Sequence, residues 1–550
     1  MPKSAERKRF GVYYTPPAFT EFLVRETVSA VIERRLDKLR EAHGLESASF
    51  DAPFDVAQPS SGALAGPAAY WREALAMLRD VKVCDPACGS GAFLIEAYDT
   101  LETYYTRVLD QLPQHDGDEA EEQAGRIPDL ILADNLHGCD LSEQAVEITQ
   151  LALWIRSARR GRTLADLSHN IVCRNSLVTD PAIDPRAIDW QATFPRVFTR
   201  AGGAGFDCVV GNPPWERLKL QEREFFSASA PEVAGAVSAA KRRQLIAALE
   251  HTNPELFALY QLRQGEADRT LAHVRTSGNF PLTAKGDVNT YMLFAELART
   301  IVAPTGRVGL LLPSGIATDH TTRDFFNALT SSDMLAILHD FENRKKVFPD
   351  VDGRFKFCTL VFDGTAMCNK SADFAFFLHS MDDLADKDRH IRLSEADIAL
   401  FNPNTRTCPI FRTRRDAQLT KAIYRRVPIL VDESRREGGN PWGIRFLTMF
   451  HQTNDAELFQ SPDELKEQGC HLDGNRWVKG KQSFVPLYEA KMVQAFDHRA
   501  ASVEVIDANW VRQGQTIPTS LVSHQNPEFV VQPRWWVDEA EVDRVLAGAR

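Results

Sequence analysis

No stretch of this 550-residue sequence reaches the ~18 uninterrupted apolar residues that a membrane-spanning helix needs. The opening MPKSAERKRF is charged and has no apolar run behind it, which excludes a secretory signal and makes the cytoplasm the expected location. None of the nine cysteines forms a CxxC pair, so free reduced thiols are expected rather than disulfides. Cys84 and Cys88 come nearest to a metal pair but lack partner ligands, and no metal is expected. There is no surplus of positive charge either. The formal net charge of −11 repels a polyanion, so any such partner must be met by local basic patches. Candidates are Lys241–Arg243 and the group Arg406, Arg412, Arg414, Arg415, Arg425 and Arg426, although runs of this kind usually mark solvated faces. Neither GxGxxG nor GxxxxGK[ST] occurs, which argues against a dinucleotide site and a P-loop.

What is present is ordinary globular composition, 44% hydrophobic and 25% charged, on a chain long enough for two to four units. Apolar residues recur at helical spacing over 20–42, and a Gly/Ala/Pro/Ser-rich loop covers 58–69. From residue 81 to about 365 apolar strands alternate with helices, at Val81–Cys84, Leu136–Cys139, Ile171–Cys173, Cys208–Val210, Val308–Leu312, Ala336–Phe341 and Phe357–Phe362. That alternation predicts an α/β fold with a doubly wound, mostly parallel sheet. Residues 1–80 form an N-terminal helical segment, and 216–277 a polar helical insertion. Residues 366–550, with short apolar runs among Asn, Pro, Gly and Arg, are expected to be a separate C-terminal α+β unit. The closing VDEAEVDRVLAGAR is expected to be a helix, with the natural protein continuing past it.

Three motifs carry chemistry. In Asp85-Pro86-Ala87-Cys88-Gly89-Ser90-Gly91 a strand ends in a glycine-bearing turn before a helix, so backbone amides can approach a ligand closely. Asp140-Leu141 closes the next strand, where a carboxylate can hold the hydroxyls of a ribose; alone, Asp140 would read as a helix N-cap. Sharpest is Asn212-Pro213-Pro214-Trp215, directly after an apolar strand. Two prolines stiffen the turn and remove its donors, leaving the Asn212 oxygen and the Pro213 carbonyl to accept both hydrogens of an amino group. Trp215 offers a face for a planar base.

DPACGSGAF followed by FDCVVGNPPW resembles the amino-group DNA methyltransferases, in the gamma order with cofactor motif first and catalytic motif second. The resemblance implies a Rossmann-like class I fold, S-adenosylmethionine as cofactor and double-stranded DNA as partner. It also implies methylation of the exocyclic amino group of a flipped adenine. Tyr14, Thr15 and Pro16 resemble the segment closing over the methionine end of the cofactor. Asn175 and Ser176 resemble the segment contacting its adenine, where many relatives carry Asp at the position of Asn175. Phe348, in Val-Phe-Pro, resembles the aromatic residue that stacks on the flipped base opposite Trp215. Segments 487–499 and 533–537 look like large methylases of type II restriction and of BREX and DISARM phage-defence systems, whose other subunits are further candidate partners.

Other readings remain open. The same catalytic motif serves methylases of protein glutamine and of RNA, and a cofactor-binding scaffold active only with partners would retain it as well. The long insertion and the C-terminal region favour adenine in DNA. No nuclease constellation precedes the cofactor motif, so modification rather than cleavage is expected.

Overall fold

The computed structural model describes residues 15–45, 67–111, 125–159, 165–200, 203–236, 239–349, 351–452, 454–504 and 515–549. It divides into two compact units, Met1–Gly439 and Asn440–Arg550.

The first unit is built on a nine-stranded sheet. Its strands are β1 (Val83–Asp85), β2 (Leu136–Asp140), β3 (Ile171–Cys173), β4 (Phe206–Gly211), β5 (Val302–Pro313), β6 (Leu335–Glu342), β7 (Lys356–Asp363), β8 (Ala372–Leu378) and β9 (Ile391–Leu393). Their order is β3-β2-β1-β4-β5-β7-β6-β8-β9. Pairing is parallel from β3 through β5, β7 is antiparallel to both neighbours, and β8 is again parallel to β6. The result is an α/β fold with a doubly wound, mostly parallel sheet. β1, β2 and β4 are buried at every residue, as strands covered on both faces must be, which is why they read as continuous apolar runs. Strand order reverses at β1/β4, and an open sheet binds ligands outside the carboxyl ends of its strands at such a point.

Helices α1 (Pro17–Val24) and α2 (Ala30–Ala42), joined by a π-helical turn, bury Leu23, Val28, Ile32 and Leu36 in the same core as β1 and β4. Charge fixes the far end of this packing. Asp207, fully buried at the start of β4, is held by Arg35, by Arg200 Nη1 at 2.6 Å and by the Lys82 amide at 2.8 Å. Helices α3 (Pro67–Asp80), α4 (Ala92–Gln111) and α5 (Glu143–Ser157) follow, the last two entering directly from the first two motifs.

The polar insertion is helical, chiefly α6 (Ala239–Thr252) and α7 (Pro254–Thr276), with a small core of its own around Phe226, Val233, Leu249 and Tyr260. Beyond it, α8 (Thr290–Ile301) leads back into β5. The sheet does not stop near 365: β8 and β9 extend it, and the first compact unit runs to Gly439. The apolar run ADFAFFL, one of the short apolar runs beyond residue 366, supplies β8.

The second unit is α+β, with an antiparallel sheet β10-β11-β12-β15 (His471–Asp473, Arg476–Lys479, Gln482–Leu487, Trp535–Asp538) and a hairpin β13-β14 (Ala501–Glu504, Gln515–Pro518). Trp536 is buried against Trp477, ring centroids 6.3 Å apart, so this tryptophan is core. No helix among the described residues is long and apolar enough to cross a membrane.

Candidate active site

The glycine-bearing turn hangs from the ends of β1 and β2. Cys88 N donates to Cys139 O at 3.0 Å, Gly91 N to Cys88 O at 2.8 Å, and the Ser176 hydroxyl to Pro86 O at 2.6 Å. Gly91 has φ +83°, a left-handed conformation that a side chain would strain. Gly89 faces open space, with nothing within 4 Å of where a Cβ would stand, and Ser90 is exposed. The turn therefore presents backbone, not side chains, to the crevice. Asp85 and Cys88 turn inward: both are buried, and burial pushes the Asp85 carboxyl up to about 8 and the Cys88 thiol well above its usual range. Asp85 Oδ1 accepts from Ala87 N at 3.0 Å and lies 2.8 Å from where a Cβ on Gly211 would be, so the two motif-bearing strands touch only because residue 211 has no side chain.

Asp140 sits at the carboxyl end of β2, its oxygens accepting from Gly89 N (2.9 Å) and Ser142 N (2.8 Å). A carboxylate has about four acceptor positions, which leaves two for the hydroxyls of a ribose. Ser142, not Asp140, caps α5, through Ala145 N. Leu141, next in line, exposes an apolar side chain. Across the crevice, Asn175 Nδ2 donates to Asp184 Oδ2 at 2.9 Å, and Asp184 is held by Arg186. An acid thus stands beside position 175 although the motif lacks one. Asp184 was not legible in the sequence, because nothing marks a carboxylate nine residues on as its partner.

Asn212 follows β4. Its Nδ2 donates to the hydroxyl of buried Thr15 at 3.1 Å, whereas its Oδ1 is buried and finds no partner among the described residues. A buried orphan acceptor is uncommon and points to a donor supplied from outside. The feet of the insertion pin this turn: the Thr290 hydroxyl donates to Pro214 O at 2.7 Å and Thr290 N to Glu216 O at 2.9 Å.

Trp215 and Phe348 are brought together, centroids 5.2 Å apart at 70°. That edge-on contact leaves no base-wide slot between the two rings. Phe355, unpredicted, lies nearly parallel to Trp215 at 5.7 Å and is 38% exposed. The loop carrying both phenylalanines is held by buried Asn343, which donates to Phe348 O (2.9 Å) and Val351 O (3.0 Å) and accepts from Phe348 N (2.9 Å). Thr15 and Pro16 precede α1, while Tyr14 lies outside the described residues.

The α/β sheet thus gathers the glycine turn, Asp140 and the Asn212 segment at the carboxyl ends of β1, β2 and β4. Residues 67–248, spanning the cofactor turn and the Asn212 motif, match the family model described as MmeI, DNA-methyltransferase domain. The chain is 29% identical over 181 residues to a putative type II restriction enzyme and methyltransferase of Methanocaldococcus jannaschii, covering 31% of this chain and 15% of that protein. It is 32% identical over 84 residues to the adenine-specific methyltransferase BrxX of Escherichia coli, covering 15% and 6%. Among solved structures it is similar to the type IIL restriction-modification enzyme MmeI in complex with DNA, at TM-score 0.39 and 16% identity over 69% of this chain and 40% of that one. The matched regions are thus small fractions of much longer relatives.

Proposed function

We propose that this chain transfers a methyl group from S-adenosylmethionine to the exocyclic amino group of a flipped adenine in DNA, as the modification component of a restriction or phage-defence system. The observation that carries the reading is the orphaned Asn212 oxygen beside Pro213 and Trp215, at the strand ends that also carry the open glycine turn and Asp140. The chain's residues fit the cofactor: Asp140 has acceptor positions left for ribose hydroxyls, Leu141 an apolar face for an adenine, and the turn an open backbone surface at Gly89 that a ligand can approach closely. When bound, that cofactor supplies an electrophilic methyl group.

The chain's own part is to orient. Asn212 Oδ1 and the Pro213 carbonyl accept the two amino hydrogens, aligning a poor nucleophile, and an aligned near-attack geometry accounts for much of such a rate enhancement. Trp215 stacks on the base once it leaves the duplex, repaying part of a flipping cost of a few kcal/mol. The bond from the amino nitrogen to the methyl carbon forms as the carbon–sulfur bond breaks, and the surplus proton leaves to solvent. No covalent enzyme intermediate is involved. Cys208, the nearest thiol in the chain, is fully buried in β4 with its pKa pushed far up by desolvation.

The MmeI methyltransferase-domain match and the likeness to BrxX support DNA as acceptor. The test offers labelled S-adenosylmethionine together with unmethylated duplex DNA, RNA or a protein extract. Label in the adenine of DNA is expected. Label confined to RNA or protein, or to cytosine, contradicts the reading.

A further inference from the structure

Outside the crevice, three side chains from the far edge of the sheet converge on one point. Ile337 on β6 is paired in register with Asp373 on β8, so His339, two residues on, shares a face with Asp373. His390 immediately precedes β9, whose Arg392 is opposite Asp373. His339 Nε2 lies 3.0 Å and His390 Nδ1 2.6 Å from the same oxygen, Asp373 Oδ2, and the three atoms are all within 4.8 Å of one another. His339 is buried, and the group lines a cavity of about 600 Å³.

The hydrogen bonding of His390 is informative. Its Nε2 lies 2.9 Å from Leu384 O, and a carbonyl can only accept, so the proton of a neutral ring belongs on Nε2. In that tautomer Nδ1 points a lone pair at a carboxylate oxygen 2.6 Å away, a contact that calls for positive charge between the two, supplied by a metal ion or by a second ring proton. A ring N–H given to a backbone carbonyl, with the other nitrogen aimed at a shared centre, is how metal-ligating histidines are held. Two imidazoles and one carboxylate suit zinc and its neighbours rather than calcium or magnesium, which prefer all-oxygen sets. Tetrahedral bonds of about 2.0–2.1 Å place ligand atoms roughly 3.3 Å apart, so the two contacts to Asp373, at 3.0 and 2.6 Å, need to open by under an ångström, within reach of small side-chain rotations. The cavity leaves room for a water as fourth ligand.

We propose that His339, Asp373 and His390 bind one divalent ion of the zinc class, a structural clamp joining β6, β8 and the start of β9 and separate from methyl transfer. The charged groups facing it are Arg392, whose Nε is 3.8 Å from Asp373 Oδ1, and, from the other walls of the cavity, Glu21, Arg25, Glu26, Arg307 and Asp382.

The test uses the untagged full chain, stripped by a chelator and titrated separately with Zn²⁺ and Co²⁺, following heat, melting temperature and the visible spectrum of cobalt. One ion per chain is expected, with a rise in melting temperature and a tetrahedral cobalt spectrum. Asp373→Asn and His390→Gln should each weaken binding by about 10-fold or more, since even outer-shell partners are worth that much. His390 is partly exposed before a short edge strand, so its variant remains informative if Asp373→Asn does not fold. Absence of stoichiometric binding in the wild type, or equal binding by wild type and His390→Gln, overturns the proposal.

Discussion

In the proposed reaction Asn212 acts through an oxygen that finds no partner among the described residues, while its amide nitrogen is anchored on Thr15. Asn212→Ala should therefore lower the methyl-transfer rate by about 10²–10³-fold, the usual loss on removing one preorganised polar contact. Cofactor affinity, measured by calorimetry, should change only a few-fold. Asp85 invites a different prediction. Its carboxyl titrates near 8 in the fold and near 3.9 when unfolded, because burial disfavours the charge. The folded state thus holds the proton more tightly, so this stabilisation is complete below about pH 4 and is lost as pH rises through about 8. Denaturant unfolding should show stability falling from about pH 5 to about pH 8, with Asp85→Asn flattening the decline. An unchanged slope in the variant would place the titration elsewhere.

At the scale of elements, the loop between β6 and β7 depends on Asn343. Asn343→Ala strands two carbonyls and one amide, and should cost about 3 kcal/mol in chemical denaturation. Because that loop carries Phe348 and Phe355, transfer to DNA should also weaken while cofactor affinity holds. Contiguous motifs such as the glycine turn, Asp140 and the Asn212 segment were legible in the sequence, since each lies at the end of one apolar strand. Their assembly was not, because contacts such as Asn175 with Asp184, Trp215 with Phe355 and His339 with Asp373 leave no periodic trace. Strands β1, β2 and β4 were readable because burial at every residue leaves them short, mostly apolar runs. β8 and β9 were missed as parts of the sheet because polar residues punctuate the chain on either side of them.

For the whole molecule, a net charge of −11 means that, under the proposed function, DNA would have to be held by local basic surface. Arg425 and Arg426 are exposed at the end of the helix Arg414–Arg426, whereas Arg242 of the other basic run is engaged by Glu222 at 2.9 Å. Replacing Arg425 and Arg426 with Ala should reduce the slope of log affinity against log salt by about 1.8, two phosphate contacts' worth. The same change at Lys241 and Arg243 tests the alternative surface. With two compact units, calorimetry of the full chain should resolve two unfolding transitions rather than one.

The most direct test of the central claim compares the wild type with Asn212→Ala on unmethylated phage DNA and maps methylated bases by sequencing. The account predicts methylated adenines at one recurring sequence with the wild type, and none above background with the variant. Equal methylation by the two proteins, or modification of a base other than adenine, would contradict it.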